Sequence, residues 1–132
     1  CDRERALVVD DEAAIGKLFG RIIAMEMPGV KVDLASNGLE AVVSFTARHQ
    51  AVLIMDINMP VMDGQAAFHE IEKVCREKNW IMPAVVFCTG YAPPDLVKKM
   101  VEDGSRHELL LKPPRYEEIV DAVKRRLNQS AA

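Results

Sequence analysis

Five polar residues in this 132-residue chain close runs of apolar ones, and their side chains are chemically complementary. Asp10 and Asp11 follow RALVV, Asp56 follows AVLIM, Thr89 ends AVVFCT, and Lys112 follows LLL. A carboxylate at the end of a buried strand needs partners to offset its desolvation, or has chemistry to perform. Taken singly, Asp56 reads equally well as a strand-end cap. Brought together, three carboxylates repel one another unless a cation neutralises them. A hard divalent ion that takes oxygen ligands and keeps several waters, Mg²⁺, suits such a site. Lys112 would add a point charge, and Thr89 a hydroxyl donor, for an anion. That combination suits phosphoryl transfer, which depends mainly on positioning and charge neutralisation. A carboxylate can itself be the nucleophile, giving an aspartyl phosphate.

The elements that would position these residues follow from the hydrophobic pattern. RALVV, AVLIMD, AVVFCTG and LLLKPP read as strands, and VKVDLA alternates as a half-buried strand. Between them Ile15, Leu18, Phe19 and Ile22 recur at helical spacing, as do Ala41, Val42 and Phe45, then Phe68, Ile71 and Cys75. Leu96, Val97, Met100 and Val101 predict a fourth helix, and Tyr116, Ile119, Val120, Val123 and Leu127 a fifth. Asp63 is the expected N-cap of the third helix. Strands alternating with helices imply a parallel sheet covered on both faces. The continuous runs are its buried strands, and alternating strand 2 belongs at an edge. The expected fold is α/β, a flavodoxin-like (βα)5 doubly wound sheet in strand order 2-1-3-4-5. In such folds ligands bind beyond the carboxyl ends of the strands, between strands 1 and 3. Asp10, Asp11, Asp56, Thr89 and Lys112 all arrive there.

Composition sets the outer limits. The length suits a single domain over 1–132, with a core from about 5 to 127. Charged residues at 28% beside 49% hydrophobic ones argue against disorder, and a net charge of -3 gives no electrostatic reason to expect direct nucleic-acid binding. No apolar run approaches the roughly 20 residues of a membrane span, and no signal-peptide pattern opens the chain. Three cysteines without CxxC spacing point to a reduced, cytoplasmic protein without a zinc site. The first residue is Cys rather than Met, which leaves a longer parent open.

VVDDE, MDINMPVMDG, FCTGY and LLKPP, in this order and spacing, resemble the receiver domain of two-component response regulators. The resemblance runs from about Arg5 to Leu127. It implies that Asp56 is the phosphoacceptor. It further implies that Asp11 binds Mg²⁺ directly, that Asp10 acts largely through water, and that the backbone carbonyl of Asn58 is the third protein ligand. Thr89 matches the hydroxyl that follows the phosphoryl group, and Lys112 the lysine paired with it. Lys112-Pro113 matches a peptide bond that is usually cis in the family. The implied partner is a histidine kinase or a histidine phosphotransfer protein, docking on the first helix and the loop after strand 5. The domain would be a switch that assists its own phosphorylation, not a turnover enzyme; homodimerisation stays open.

Two positions depart from the family pattern. Leu109 stands where many receivers carry an aromatic residue that rotates inward. The F-x-T-G-Y after strand 4 resembles a subset that includes stand-alone regulators and receivers attached to histidine kinases, so signalling through Gly90 to Lys98 is expected instead. Pro114 replaces a common Phe. His49, His69 and His107 read as scattered surface positions, Cys88 as a small buried hydrophobe, and Trp80 as loop packing. Tyr91 could tune water access or meet a partner. A haloacid-dehalogenase-type phosphatase is the remote rival, but it needs a second Asp where Asn58 stands. An FMN binder would have its phosphate repelled by Asp10 and Asp11. A receiver degraded to a docking module would lack a site residue, and none is missing. Excised receiver of a hybrid sensor histidine kinase, stand-alone regulator and half of a transcription factor all remain open.

Overall fold

Both faces of the central strands are covered, which is why their sequences are unbroken apolar runs. The computed structural model describes residues 2–90, 107–112 and 114–131. Strands β1 (Asp2–Val9), β2 (Lys31–Ala35), β3 (Gln50–Met55), β4 (Ala84–Thr89) and β5 (Glu108–Leu111) form one parallel sheet in the order β2-β1-β3-β4-β5. Helices α1 (Ala13–Glu26), α2 (Gly38–Arg48), α3 (Gly64–Lys78) and α4 (Tyr116–Ala131) complete the described residues. Strand order, parallel pairing and the edge position of β2 are as the pattern predicts. The helix expected around Leu96 to Val101, Tyr91, most of the Gly90 to Lys98 loop, and Pro113 with its peptide bond lie outside the described residues.

Successive side chains of a strand point to opposite faces, so each central strand feeds two cores. On one face Leu7, Val9, Leu53, Met55, Val85 and Phe87 meet Phe45, Phe68 and Ile71. On the other, Val8, Val52, Ile54, Val86 and Cys88 meet Phe19, Ile23, Ile119 and Val123. Leu109 packs partly buried against the first core, so its side chain has an apolar berth of its own. Arg5 Nη1 donates to Asp33 Oδ1 at 2.8 Å and Gln50 Nε2 to Asp33 Oδ2 at 3.1 Å, which ties β1, β2 and β3 together.

The register ends β1, β2 and β3 at one level and carries β4 and β5 two residues further. Val9 lies opposite Met55, Met55 opposite Phe87, and Thr89 opposite Leu111. Asp10, Asp56 and Lys112 are therefore each the first residue past a paired position. The ladder continues through them: Asp10 N donates to Ala35 O at 3.1 Å, Asp56 N to Val9 O at 3.1 Å, and Lys112 N to Thr89 O at 2.7 Å.

Beyond Asp56 the chain makes a closed lap before entering α3. Gly64 N donates to Ile57 O at 2.8 Å, and Asp63 caps the helix by accepting from Ala66 N at 2.8 Å. The lap is so tight that a Cβ on Gly64 would stand 2.3 Å from the Asp56 carbonyl oxygen. At its tip Met62 N donates to Pro60 O at 2.7 Å, a γ-turn centred on Val61 with φ 68°. Among the described residues the other non-glycines at positive φ, His49 and Asn79, are helix C-caps, where such a conformation is ordinary. Val61, being β-branched, is a genuine outlier, held at a cost of roughly 1–3 kcal/mol. The lap is anchored sideways as well, because Gly38 N, at the start of α2, donates to Met62 O at 2.9 Å.

Two substitutions test this account in opposite directions. Gly64→Ala should destabilise the fold by more than about 2 kcal/mol, the range of strongly disruptive single changes. Val61→Gly should raise stability by roughly 0.5–1 kcal/mol, since strain relief exceeds the added chain entropy. Urea midpoints measure both; an unchanged Gly64→Ala midpoint would show that the lap is not tightly constrained.

Candidate functional site

The three carboxylates predicted to meet do so. One oxygen from each of Asp10, Asp11 and Asp56 lies within 4.8 Å of the others. Asp10 and Asp56 are buried, at 3% and 8% exposure, while Asp11 is open to solvent. Lys112 reaches the cluster from β5. Its Nζ donates to Asp10 Oδ2 and to Asp56 Oδ2, each at 2.9 Å. The remaining oxygens are also engaged: Asp10 Oδ1 accepts from Glu12 N at 2.9 Å, and Asp56 Oδ1 from Asn58 N at 3.2 Å.

Electrostatics explain the arrangement. Burial pulls the Lys112 ammonium toward its neutral form, but the hydrogen bonds and charges of Asp10 and Asp56 outweigh that and raise its pKa well above the ordinary lysine value. The side chain is a permanent cation. One ammonium beside three carboxylates still leaves an uncompensated negative site. The donors are all oxygens, with one carboxylate facing solvent. That set fits a hard divalent cation which retains water, and it offers nothing to a soft metal. Asp10, Asp11 and Asp56 are the side chains able to hold such an ion.

Thr89 is buried at 1% exposure at the end of β4, and its carbonyl carries the hydrogen bond that aligns Lys112. Asn58 sits exposed in the lap, with its backbone nitrogen tied to Asp56. Cys88, next to Thr89 in sequence, faces the second core. Burial is the main reason its thiol is pushed up to about 12, so it stays protonated and unreactive, the small hydrophobe expected.

Two histidines depart from the surface positions the sequence suggests. His49 stacks on Trp80 at 4.0 Å between ring centroids, and burial lowers its pKa. His107 is half-buried, with Nδ1 accepting from Val85 N at 3.1 Å and its ring edge-on to Phe68. Lone histidines carry no periodic signal, so sequence offers no means of separating these settings. Sequence reading also missed the demand placed on Gly64 by the Asp56 carbonyl. The Asp-Gly pair signals a turn, but a steric limit set by a residue eight positions earlier is visible only in three dimensions.

Comparison with known proteins adds an independent line. Residues 6–124 match the family model described as "Response regulator receiver domain". The chain is 27% identical over 124 residues to the chemotaxis protein CheY of Bacillus subtilis, covering 94% of this chain and 98% of that protein. It is 31% identical over 123 residues to the regulatory protein AtoC of Escherichia coli, covering 93% of this chain but 25% of AtoC. Several other relatives are matched over only 19–28% of their length. A receiver domain protein from Clostridium thermocellum superposes with a TM-score of 0.77 at 26% identity, over 96% of both chains.

Lys112→Met should lower stability in metal-free buffer, because Asp10 and Asp56 lose their shared partner while staying buried. Breaking a fully buried ion pair costs about 3–5 kcal/mol, and the partial exposure of Lys112 reduces the expected loss to roughly 2 kcal/mol. Urea unfolding measures it; a midpoint equal to wild type would mean that the two carboxylates do not depend on this lysine.

Proposed function

This chain belongs to the response regulator receiver domain family, and on that footing we propose that it is the phosphoacceptor switch of a two-component or phosphorelay system, with Asp56 as acceptor. The observation that carries the reading is the Lys112 ammonium, 2.9 Å from both Asp56 and Asp10 in a cluster of three carboxylates. A carboxylate placed so lies beside a cation that can follow the charge of an incoming phosphoryl group. Asp56 Oδ attacks phosphorus, the bond from phosphorus to the donor histidine nitrogen breaks, and its electron pair returns to the imidazole. Lys112 then pairs with the phosphoryl oxygens, and the Thr89 hydroxyl closes on another. Asp10, Asp11, Asp56 and the Asn58 carbonyl are the proposed ligands of Mg²⁺. That ion, when bound, supplies neutralisation of the charge shared by carboxylate and phosphoryl group.

The phosphoryl donor would be a histidine kinase or a histidine phosphotransfer protein. A shallow apolar hollow lined by Ile15, Leu18, Phe19, Lys112 and Pro114 suits such a partner, since it runs from α1 to the Lys112 side of the site. Leu18 is 54% exposed there, an apolar side chain without cover. The lysine, threonine and carboxylates position and stabilise rather than turn over, so the domain is read as a switch and not an enzyme. Asn58 supports this, because a haloacid-dehalogenase-type phosphatase needs an acid at that place. One receiver domain over the whole chain, a cytoplasmic setting and the F-x-T-G-Y subset are parts of the proposal that rest on sequence; a homodimer and a hybrid sensor kinase as parent stay open as alternatives. No described helix is long and apolar enough to cross a membrane.

Acetyl phosphate should label the wild-type chain in the presence of Mg²⁺ and not after chelation, and Asp56→Asn should abolish labelling while circular dichroism shows the fold intact. Labelling that persists in Asp56→Asn would move the acceptor elsewhere. Sustained hydrolysis of p-nitrophenyl phosphate would favour the phosphatase instead.

A further inference from the structure

Gly38 opens α2, although glycine is a poor helix former, and its dihedral angles do not demand it, since no described glycine sits at positive φ. Contact explains it instead. A Cβ on Gly38 would stand 2.3 Å from the Met62 carbonyl oxygen and 2.9 Å from both the carbonyl carbon and Cγ of that residue. Gly38 N meanwhile donates to the same oxygen at 2.9 Å. The turn between β2 and α2 therefore bears directly on the lap that follows Asp56, with no space between them.

Both sides of this contact lead to the carboxylates. Three residues before Gly38, Ala35 O accepts from Asp10 N at 3.1 Å. The turn in between is tied to the start of α2, with Ser36 N donating to Glu40 Oε1 at 3.0 Å and Glu40 N to Asn37 Oδ1 at 2.8 Å. On the other side Met62 N donates to Pro60 O, Gly64 N to Ile57 O, and Asn58 N to Asp56 Oδ1. Ile57 and Met59 are buried in the first core, so the lap cannot yield without disturbing it. Pressure where Gly38 meets Met62 must move either the segment that holds Asp10 or the one that carries Asp56 and Asn58. Resting on the receiver reading above, we infer that Gly38 and Glu40 are positioning residues for the Mg²⁺ site: the turn 36–38 sets the separation of Asp10 from residues 56–58, and with it the affinity for the ion. Both act through backbone hydrogen bonds, and neither is a ligand.

Calorimetric titration with Mg²⁺ compares wild type with G38A, E40A, E40Q and V123A. E40Q keeps a side-chain oxygen for Ser36 N but loses the charge, and V123A removes volume from the second core, on α4 and away from the turn. The Kd for Mg²⁺ should rise about tenfold in G38A and about threefold in E40A, as when groups behind metal ligands are disturbed. It should stay within about twofold of wild type in E40Q and in V123A, although V123A unfolds at lower urea. A wild-type Kd in a folded G38A or in E40A overturns the proposal. So does an E40Q that weakens binding as E40A does, because charge would then be the cause, or a V123A that does the same through general loss of stability. If G38A does not fold, the pair E40A and E40Q decides. A wild type that binds no Mg²⁺ overturns the metal-site reading and this proposal with it, an outcome seen before any variant is made.

Discussion

The ammonium of Lys112 between Asp10 and Asp56 is the contact on which the arrangement of this chain depends. It joins residues 102 and 56 positions apart in sequence, at 2.9 Å each, in a place where water is largely excluded. Parallel strands bring their carboxyl ends, and with them all three residues, to one edge of the sheet, and parallel strands require helical crossovers of a dozen residues or more. The α/β alternation, the two-faced core and the matched register are the means by which a widely separated triad is held within hydrogen-bond distance.

The second constraint is the lap after β3. Asp56 has to leave a buried strand and face the carboxylate cluster, while the chain turns back into α3. Gly64 allows the return by passing within contact of the Asp56 carbonyl, and the Asp63 side chain satisfies the free amide of Ala66 in the first turn of the helix. The consequence is a rigid rim, tied to α2 through Gly38 and Met62. A rim held this firmly can keep Val61 in a conformation that a looser loop would release.

Much of this was legible beforehand, for identifiable reasons. Apolar runs bounded by turn residues predict β1, β3 and β4, because strands buried on both faces leave no alternation to misread. Alternation in VKVDLA placed β2 at the edge, and Asp63 declared itself as a cap. Strand ends were less sharp: β1 begins at Asp2, ahead of the Arg5 suggested by hydrophobicity, because the first residues of a strand pair through backbone groups that every residue carries. His49 and His107 were misjudged as surface residues because stacking on Trp80 and acceptance from Val85 N are tertiary accidents without a periodic signature.

By itself the sequence determined the alternation of strands and helices, hence the parallel sheet, and named the residues that end its strands. Residue type and hydrophobic period are local properties, and they carry that information without the fold. Tertiary structure alone decided that Lys112 bridges Asp10 and Asp56 rather than one of them, that Gly64 has no room for a side chain, and that Val61 is strained and exposed. Each of these is a distance or a dihedral angle set by packing between segments far apart in the chain, and no local pattern encodes it.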